Sequence, residues 1–328
     1  MRPEPELLDR FRSALDALID PGARVGIAVS GGPDSMALLL LAAETRPGLV
    51  EAATVDHALR PESAAEAEMV AQVSAALGVP HTILRIEWDV PPATGLQEQA
   101  REVRYGALDR WARERGLSAI VTAHHLDDQA ETLVMRLARG AGVRGLAGMR
   151  QAATVPGSDV PLLRPLLSWR RVELAQICAD AGIEPVADPS NSDEQFERVR
   201  VRRALADAEW LYPEAIAASA GNLAEADAAL RWAADEEWDR AVDANASEIT
   251  YRPDSAPPEI RRRIVGRAVA SLATEGNGTE LRGRELDRLL DTLDGGGKAT
   301  LRGVICKGGA EWRFVPAPKR TRPVTNSR

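Results

Sequence analysis

A chain of 328 residues, 45% hydrophobic and 27% charged, has a globular composition and the length of about two domains. Its net charge of −8 argues against a protein that simply coats nucleic acid, and its longest apolar runs, such as Met36–Ala43, are too short to span a bilayer. The charged start, MRPEPELLDRF, lacks the apolar core of a secretory signal, and Cys178 and Cys306 lie far apart, so no disulfide framework, zinc site or membrane is expected and the cytoplasm is the expected compartment.

In chain order, residues 6–19 read as an amphipathic helix. Strand-like apolar runs then alternate with helical ones: strands at 24–30, 50–56, 81–86 and 118–123, helices at 34–45, 62–78, 96–115, 127–139 and 168–182. Such alternation predicts an α/β fold, a parallel sheet with helices on both faces, whose ligands lie at the carboxyl ends of the strands. Those ends read SGGPDS, DHALRPES and AHHLDDQAET, so the polar chemistry falls together. From about 210 the character changes. Residues 213–243 are Ala-rich and helical, EITYR reads as a strand, and helices follow near 257–274 and 282–293. The end reads as a hairpin turning at Gly308-Gly309. The expected division is 1–212 and 213–328, the second domain smaller, mainly helical and α+β.

Ser30-Gly31-Gly32-Pro33-Asp34-Ser35 stands between a buried strand and a buried helix. A glycine-rich turn there exposes backbone N–H groups beside the positive end of a helix dipole, which is an anion site. Ser30 and Ser35 add hydroxyls. Asp34 repels phosphate unless a cation stands between them, which points to Mg²⁺. The plainer reading is a strand-to-helix turn with Asp34 at a helix end. A Walker A loop needs a lysine, and the first lysine is Lys298. The dinucleotide fingerprint is absent too, leaving a loop that grips pyrophosphate.

SGGPDS resembles the PP-loop signature of ATP pyrophosphatases. With VDHALR (55–60), AREVRY (100–105), TAHHLDDQAET (122–132), RGAGVRGLAGM (139–149), RPLL (164–167) and DPSN (188–191), in that order, residues 24–205 resemble the tRNA(Ile)-lysidine synthetases. The resemblance implies an adenine-nucleotide α-hydrolase-like (PP-loop) fold. It implies a ligase that uses ATP to adenylate the 2-carbonyl of the wobble cytidine in tRNA(Ile) with anticodon CAU. The ε-amine of free L-lysine then attacks, giving lysidine, AMP and pyrophosphate. ATP is expected on Ser30, Gly31, Gly32, Pro33, Asp34 and Ser35, with Asp34 also the Mg²⁺ ligand. His57, Arg60 and Arg104 are expected to border the nucleotide.

Asp128 and Glu131, three apart, share a helix face and suit a lysine ammonium; alternatively they complement the helix dipole. His124 and His125 bring imidazoles to the same strand end. The catalytic set expected is Asp34, His125, Asp128 and Glu131. Zincin spacing is absent and no cysteine is near. Arg139 and Arg144 stand in a stretch, 136–171, with Asp159 as its single acid. With Arg198, Arg200 and Arg202 in DPSNSDEQFERVRVRR, read as a tRNA-side loop, they form the expected phosphate footprint; individually they also read as solvated surface cations. The family commonly has Asn where this chain has Val199. The rival readings are another PP-loop tRNA modifier, such as a cytidine thiolase, and a non-catalytic ATP- and RNA-binding module.

Overall fold

The computed structural model describes residues 2–58, 62–88, 96–186, 193–273 and 283–318. The chain forms two compact units, residues 1–224 and 225–328. Helix α9 (Pro213–Ala241) begins where the sequence places the second domain and carries the boundary inside it.

The first unit is built on a six-stranded sheet of order β3-β2-β1-β4-β6-β5. Strands β1 (Val25–Ala28), β2 (Val50–Asp56), β3 (His81–Arg85) and β4 (Ala119–Val121) fall on the four expected runs. They pair in parallel, as does β6 (Pro161–Leu163); the edge strand β5 (Ala152–Thr154) is antiparallel. The sequence did not suggest β5 and β6. Each has three residues, too few to show a period. Helices α1 (Pro5–Asp16), α2 (Pro33–Thr45), α3 (Ser63–Ala76), α4 (Leu96–Arg115), α5 (Leu126–Ala138) and α7 (Arg171–Ala181) match expected helices. The last starts three residues late: Arg170 is extended, its N–H bonded to Glu173 Oε2 at 2.6 Å, and Gly182 ends it in the left-handed region.

Burial explains the apolar runs. Helix α2 is buried from Ser35 to Ala42, enclosed by α1, α7 and the sheet, so it shows no polar face. Gly26 in β1 is required by close approach, since a Cβ there would stand 2.5 Å from the Trp111 ring.

After β1 the chain runs outward through β2 and β3, then returns to lay β4 on the other side of β1. The β1/β4 junction is therefore the switch point, where loops part at the carboxyl ends and leave a crevice. The SGGPDS turn follows β1 and the HHLDD turn follows β4.

One expectation is corrected here. ERVRVRR belongs not to a loop but to α8 (Glu197–Asp207). Its alternating arginines suggest an extended segment, yet Val199 is 6% exposed and packs inward as a helix residue. Its apolar side chain fills a buried position where a lone Asn would need a partner. The short helix α6 (Val143–Leu146) also lay unread in RGAGVRGLAGM.

The second unit holds a five-stranded antiparallel sheet, β7-β8-β11-β10-β9. Here β7 is Val242–Ala244 and β8 is Ile249–Tyr251; β9 is Lys298–Leu301, β10 Val304–Lys307 and β11 Trp312–Pro316. Helices α10 (Pro258–Leu272) and α11 (Gly283–Asp294) pack on it around Tyr251, Ile264, Val269, Leu293, Trp312 and Phe314. The expected single terminal hairpin is instead a three-stranded meander. Arg302 and Gly303, at φ 50° and 72°, make a second turn of the kind that reverses β-hairpins. Cys178 and Cys306 are free and buried. No helix among the described residues is long and apolar enough to cross a membrane.

Candidate active site

Local sequence builds the turn after β1. Gly31 sits at φ 85°, a conformation costly for a side chain, and its added Cβ would also press on Val186 at 3.0 Å. Gly32 has no such crowding; its nearest neighbour would be Ser30 Oγ at 3.8 Å, so its bare Cα leaves room for a ligand. Pro33 opens α2, where its missing N–H costs nothing. Ser35 Oγ accepts the Ser30 amide at 3.1 Å and donates to the Gly32 carbonyl at 2.9 Å, closing the loop on itself. The Cys178 thiol donates to the Pro33 carbonyl at 3.2 Å from behind.

Asp34 faces the β4 turn. Its Oδ2 lies 3.4 Å from His125 Nε2, and its Oδ1 is buried without a partner. His125, 2% exposed, caps α5: Nδ1 accepts the Asp128 amide at 3.3 Å, and the Asp128 carboxylate accepts the His125 amide at 3.1 Å. With Nδ1 accepting, the neutral ring carries its proton on Nε2, toward Asp34 and Asp128 at 3.4 and 3.5 Å. Burial pushes the His125 pKa down, but Asp34, Asp128 and Asp127 outweigh it, and the net shift is upward. Asp127 is turned away: it accepts from the Arg170 side chain and the Arg171 amide, tying α5 to α7.

Glu131 is 2% exposed and its carboxylate is taken from α8. Arg202 Nε donates to Oε1 at 2.6 Å, and Arg198 Nε lies 3.5 Å from Oε2. Arg198 also reaches Asp128 Oδ1 at 3.8 Å. The residues expected to serve lysine and those expected to serve tRNA are thus partners on one wall. Arg198 and Arg202 are four apart on a helix and point together; Arg200 points elsewhere, donating to the Glu194 and Gln195 carbonyls. Arg139 pairs with Glu197, and Arg144 is exposed on α6.

A cleft of about 600 Å³ is lined by Ser30, Gly32, Pro33, Asp34, Ser35, His57, Arg104, His124, Asp128, Arg198 and Arg202 among others; Gly31, His125, Glu131, Arg139, Arg144 and Arg200 are not in its lining. His57 Nδ1 is buried without a partner; burial and then Arg104 push its pKa down. Arg60 and DPSN lie outside the described residues. Asp56, Tyr105 and Arg171 also line the cleft and were not singled out from the sequence. Asp56 ends β2 one residue before His57, so the strand-end rule itself could have found it. Burial pushes the Asp56 pKa up, but the Ser63 hydroxyl, the Ala58 amide, Arg85 and His57 outweigh it and lower it. A smaller pocket, about 380 Å³, is lined by Gln129, Met149, Leu167 and Ala217. Gln129 is already bonded to the Met149 amide and carbonyl, so its amide is structural.

Among the described residues no cluster of three or more His, Cys, Asp or Glu is placed to hold a metal. A lone carboxylate with one unpartnered oxygen fits Mg²⁺ instead, since that ion takes most of its ligands from phosphate and water.

Switch-point crevice, phosphate loop and facing carboxylates define a nucleotide-binding protein of the PP-loop class, and residues 6–209 match the family described as PP-loop domain. The tRNA(Ile)-lysidine synthase of Novosphingobium aromaticivorans is 53% identical over 315 residues, 94% of each chain. That of Zymomonas mobilis is 41% identical, covering 96% of this chain and 95% of its own. The chain belongs to the tRNA(Ile)-lysidine synthase family. Among solved structures, the U34-tRNA thiolase NcsA of Methanococcus maripaludis shares the fold at 17% identity and TM-score 0.57, over 67% of this chain and 79% of its own.

Proposed function

We propose that this chain joins free L-lysine to C2 of the wobble cytidine in tRNA(Ile) with anticodon CAU, consuming ATP and releasing AMP and pyrophosphate. One observation carries the reading: Asp34 of the phosphate loop meets the Asp128–His125 cap across 3.4 Å, so activating and ammonium-binding groups share one crevice.

The Gly31-Gly32 turn and the start of α2 take the phosphates, and Asp56 and His57 border the nucleoside side. Asp34 would hold Mg²⁺, which when bound neutralises phosphate charge. The cytidine 2-oxygen attacks the α-phosphorus and pyrophosphate leaves. The lysine ε-nitrogen then bonds to C2 as the C2–O bond to AMP breaks. Asp128, only partly engaged by Arg198, gathers the ammonium; Glu131, held by Arg202 and Arg198, fixes α8 against α5. The ammonium must first lose a proton. His125, its Nδ1 taken by the Asp128 amide and its Nε2–H facing Asp34 and Asp128, has no free lone pair for that proton and holds the carboxylates in place; His124, pushed down to about 4 chiefly by burial, is the neutral imidazole that lines the cleft. Arg139, directly after α5, and Arg144 and Arg200, on α6 and α8, are exposed and suit the RNA backbone.

Sulfur transfer by a thiolase fits poorly. Burial pushes the Cys178 thiol to about 11 and Cys306 to about 12, so neither is a ready nucleophile. The purified protein, given ATP, labelled lysine and a panel of tRNA transcripts, should release AMP and label only the CAU isoleucine tRNA. Asp34→Asn should abolish both. AMP release independent of lysine and tRNA would overturn the reading.

A further inference from the structure

The first turns of α4 and the carboxyl end of β6 bring three guanidinium groups together. Arg101 lies over the Tyr105 ring at 4.9 Å and Arg104 at 5.1 Å. Arg164, directly after β6, is 7% exposed; its Nη1 donates to the Arg150 carbonyl at 2.8 Å, and its Nε is buried without a partner. Tyr105, 1% exposed, lines the cleft, and its Oη stands beside the Arg164 guanidinium without a hydrogen bond of good geometry. Among the described residues no carboxylate pairs with Arg101, Arg104 or Arg164. Burial lowers the Arg164 pKa, as does Arg101; the Tyr105 hydroxyl works the other way.

An arginine buried without a counter-charge is expensive, and an unmet hydroxyl beside it adds to the cost. Both costs fall when an anion with several acceptor oxygens arrives, as a phosphate does. In the sheet, Arg164 stands two strands from the phosphate loop, about 10 Å at ordinary strand spacing. The phosphate loop already offers amides to the nucleotide. The group met by Arg164 is therefore a different phosphate, approached from the exposed side of Arg101.

We propose that Arg101, Tyr105 and Arg164 form a phosphodiester subsite that holds a backbone phosphate of the RNA beside the target nucleotide. The proposal rests on RNA being the second substrate. Tyr105 Oη donates one hydrogen bond and the guanidinium groups supply charge and further donors; such contacts fix register, not sequence.

The test uses the whole chain, with tRNA affinity measured at several salt concentrations and ATP affinity measured separately. Tyr105→Phe and Arg101→Gln should each weaken tRNA binding, by up to about tenfold. Arg101→Gln should also lower the magnitude of the log K against log salt slope by roughly 0.7–0.9, as one lost phosphate contact does. ATP affinity should be unchanged. Arg164→Lys serves for the buried position, with its urea midpoint checked; Tyr105→Phe and Arg101→Gln decide the matter if it fails to fold. Weakened ATP binding with intact tRNA binding would assign the group to the nucleotide and overturn the proposal. So would tRNA affinity and slope unchanged in both variants. Wild-type tRNA binding is read without catalysis, so failure of the ligase reading shows separately, as absent AMP release.

Discussion

His124 and His125 are sequence neighbours with opposite electrostatic surroundings. His125 turns into the carboxylates of Asp34 and Asp128 and is raised; His124 bonds Thr122 through Nδ1 at 2.9 Å and is lowered to about 4. Burial is the chief cause for His124; Asp128 opposes it, and Arg164, Arg104 and Arg198 reinforce it. Between pH 6.5 and 4 the unfolded chain binds a proton at this position that the folded chain does not, so stability falls as pH falls through that window. His124→Asn should remove that part of the slope. The unfolding free energy from urea titrations should then fall less between those pH values than in the wild type, by up to about 3 kcal/mol. His125 works in the other direction: its contribution is fully present below the ordinary value and is lost as pH rises through its raised pKa. An equal loss in His124→Asn and wild type would mean that His124 is not held neutral.

At the scale of elements, α8 changes the meaning of its arginines. In an extended segment Arg198, Arg200 and Arg202 would share a face; in a helix Arg198 and Arg202 share one and Arg200 leaves it. The pair then docks on Glu131 of α5, beside the Arg198 Nη2 bond to Thr132 at 3.2 Å. Glu131→Gln strands two guanidinium groups against α5. Removing one partner of a wholly buried pair costs about 3–5 kcal/mol; with Arg202 at 29% side-chain exposure, about 2–3 kcal/mol is expected here. Denaturant unfolding checks this. Asp128→Asn, at a partly exposed carboxylate, should instead raise the KM for lysine more than that for ATP, by roughly tenfold. An unchanged urea midpoint in Glu131→Gln would return that carboxylate to the ligand.

On the scale of the whole molecule, each unit owns a core. Residues 225–328 close on Tyr251, Trp312 and Phe314, with Tyr251 donating to Glu237 at 3.0 Å and meeting Trp312 edge-on at 5.7 Å. The cleft and all its lining residues belong to the first unit. Calorimetry should therefore resolve two transitions, since separate cores breach two-state behaviour. ATP with Mg²⁺ should raise only one of them, by the equivalent of about 2.7 kcal/mol at a hundredfold excess over Kd. A single transition that moves as a whole on adding ATP would show one cooperative unit.

Local chemistry made much of this legible from the sequence. The period of apolar residues set the four long strand runs and the helices between them, because each element must turn one face or both to a core. SGGPDS declared its site because a positive-φ glycine and a carboxylate at a helix start are properties of a few adjacent residues. Long-range packing decided the rest. The three-residue strands β6 and β5 exist only because β4 offers an edge for β6 and β6 in turn offers one for β5. The pairing of Glu131 with Arg202, 71 positions apart, depends on α5 and α8 meeting. Tyr105 and Arg164 stand side by side only when the first turns of α4 reach the end of β6, because an uncompensated charge is a property of its surroundings and no residue carries its surroundings in its name.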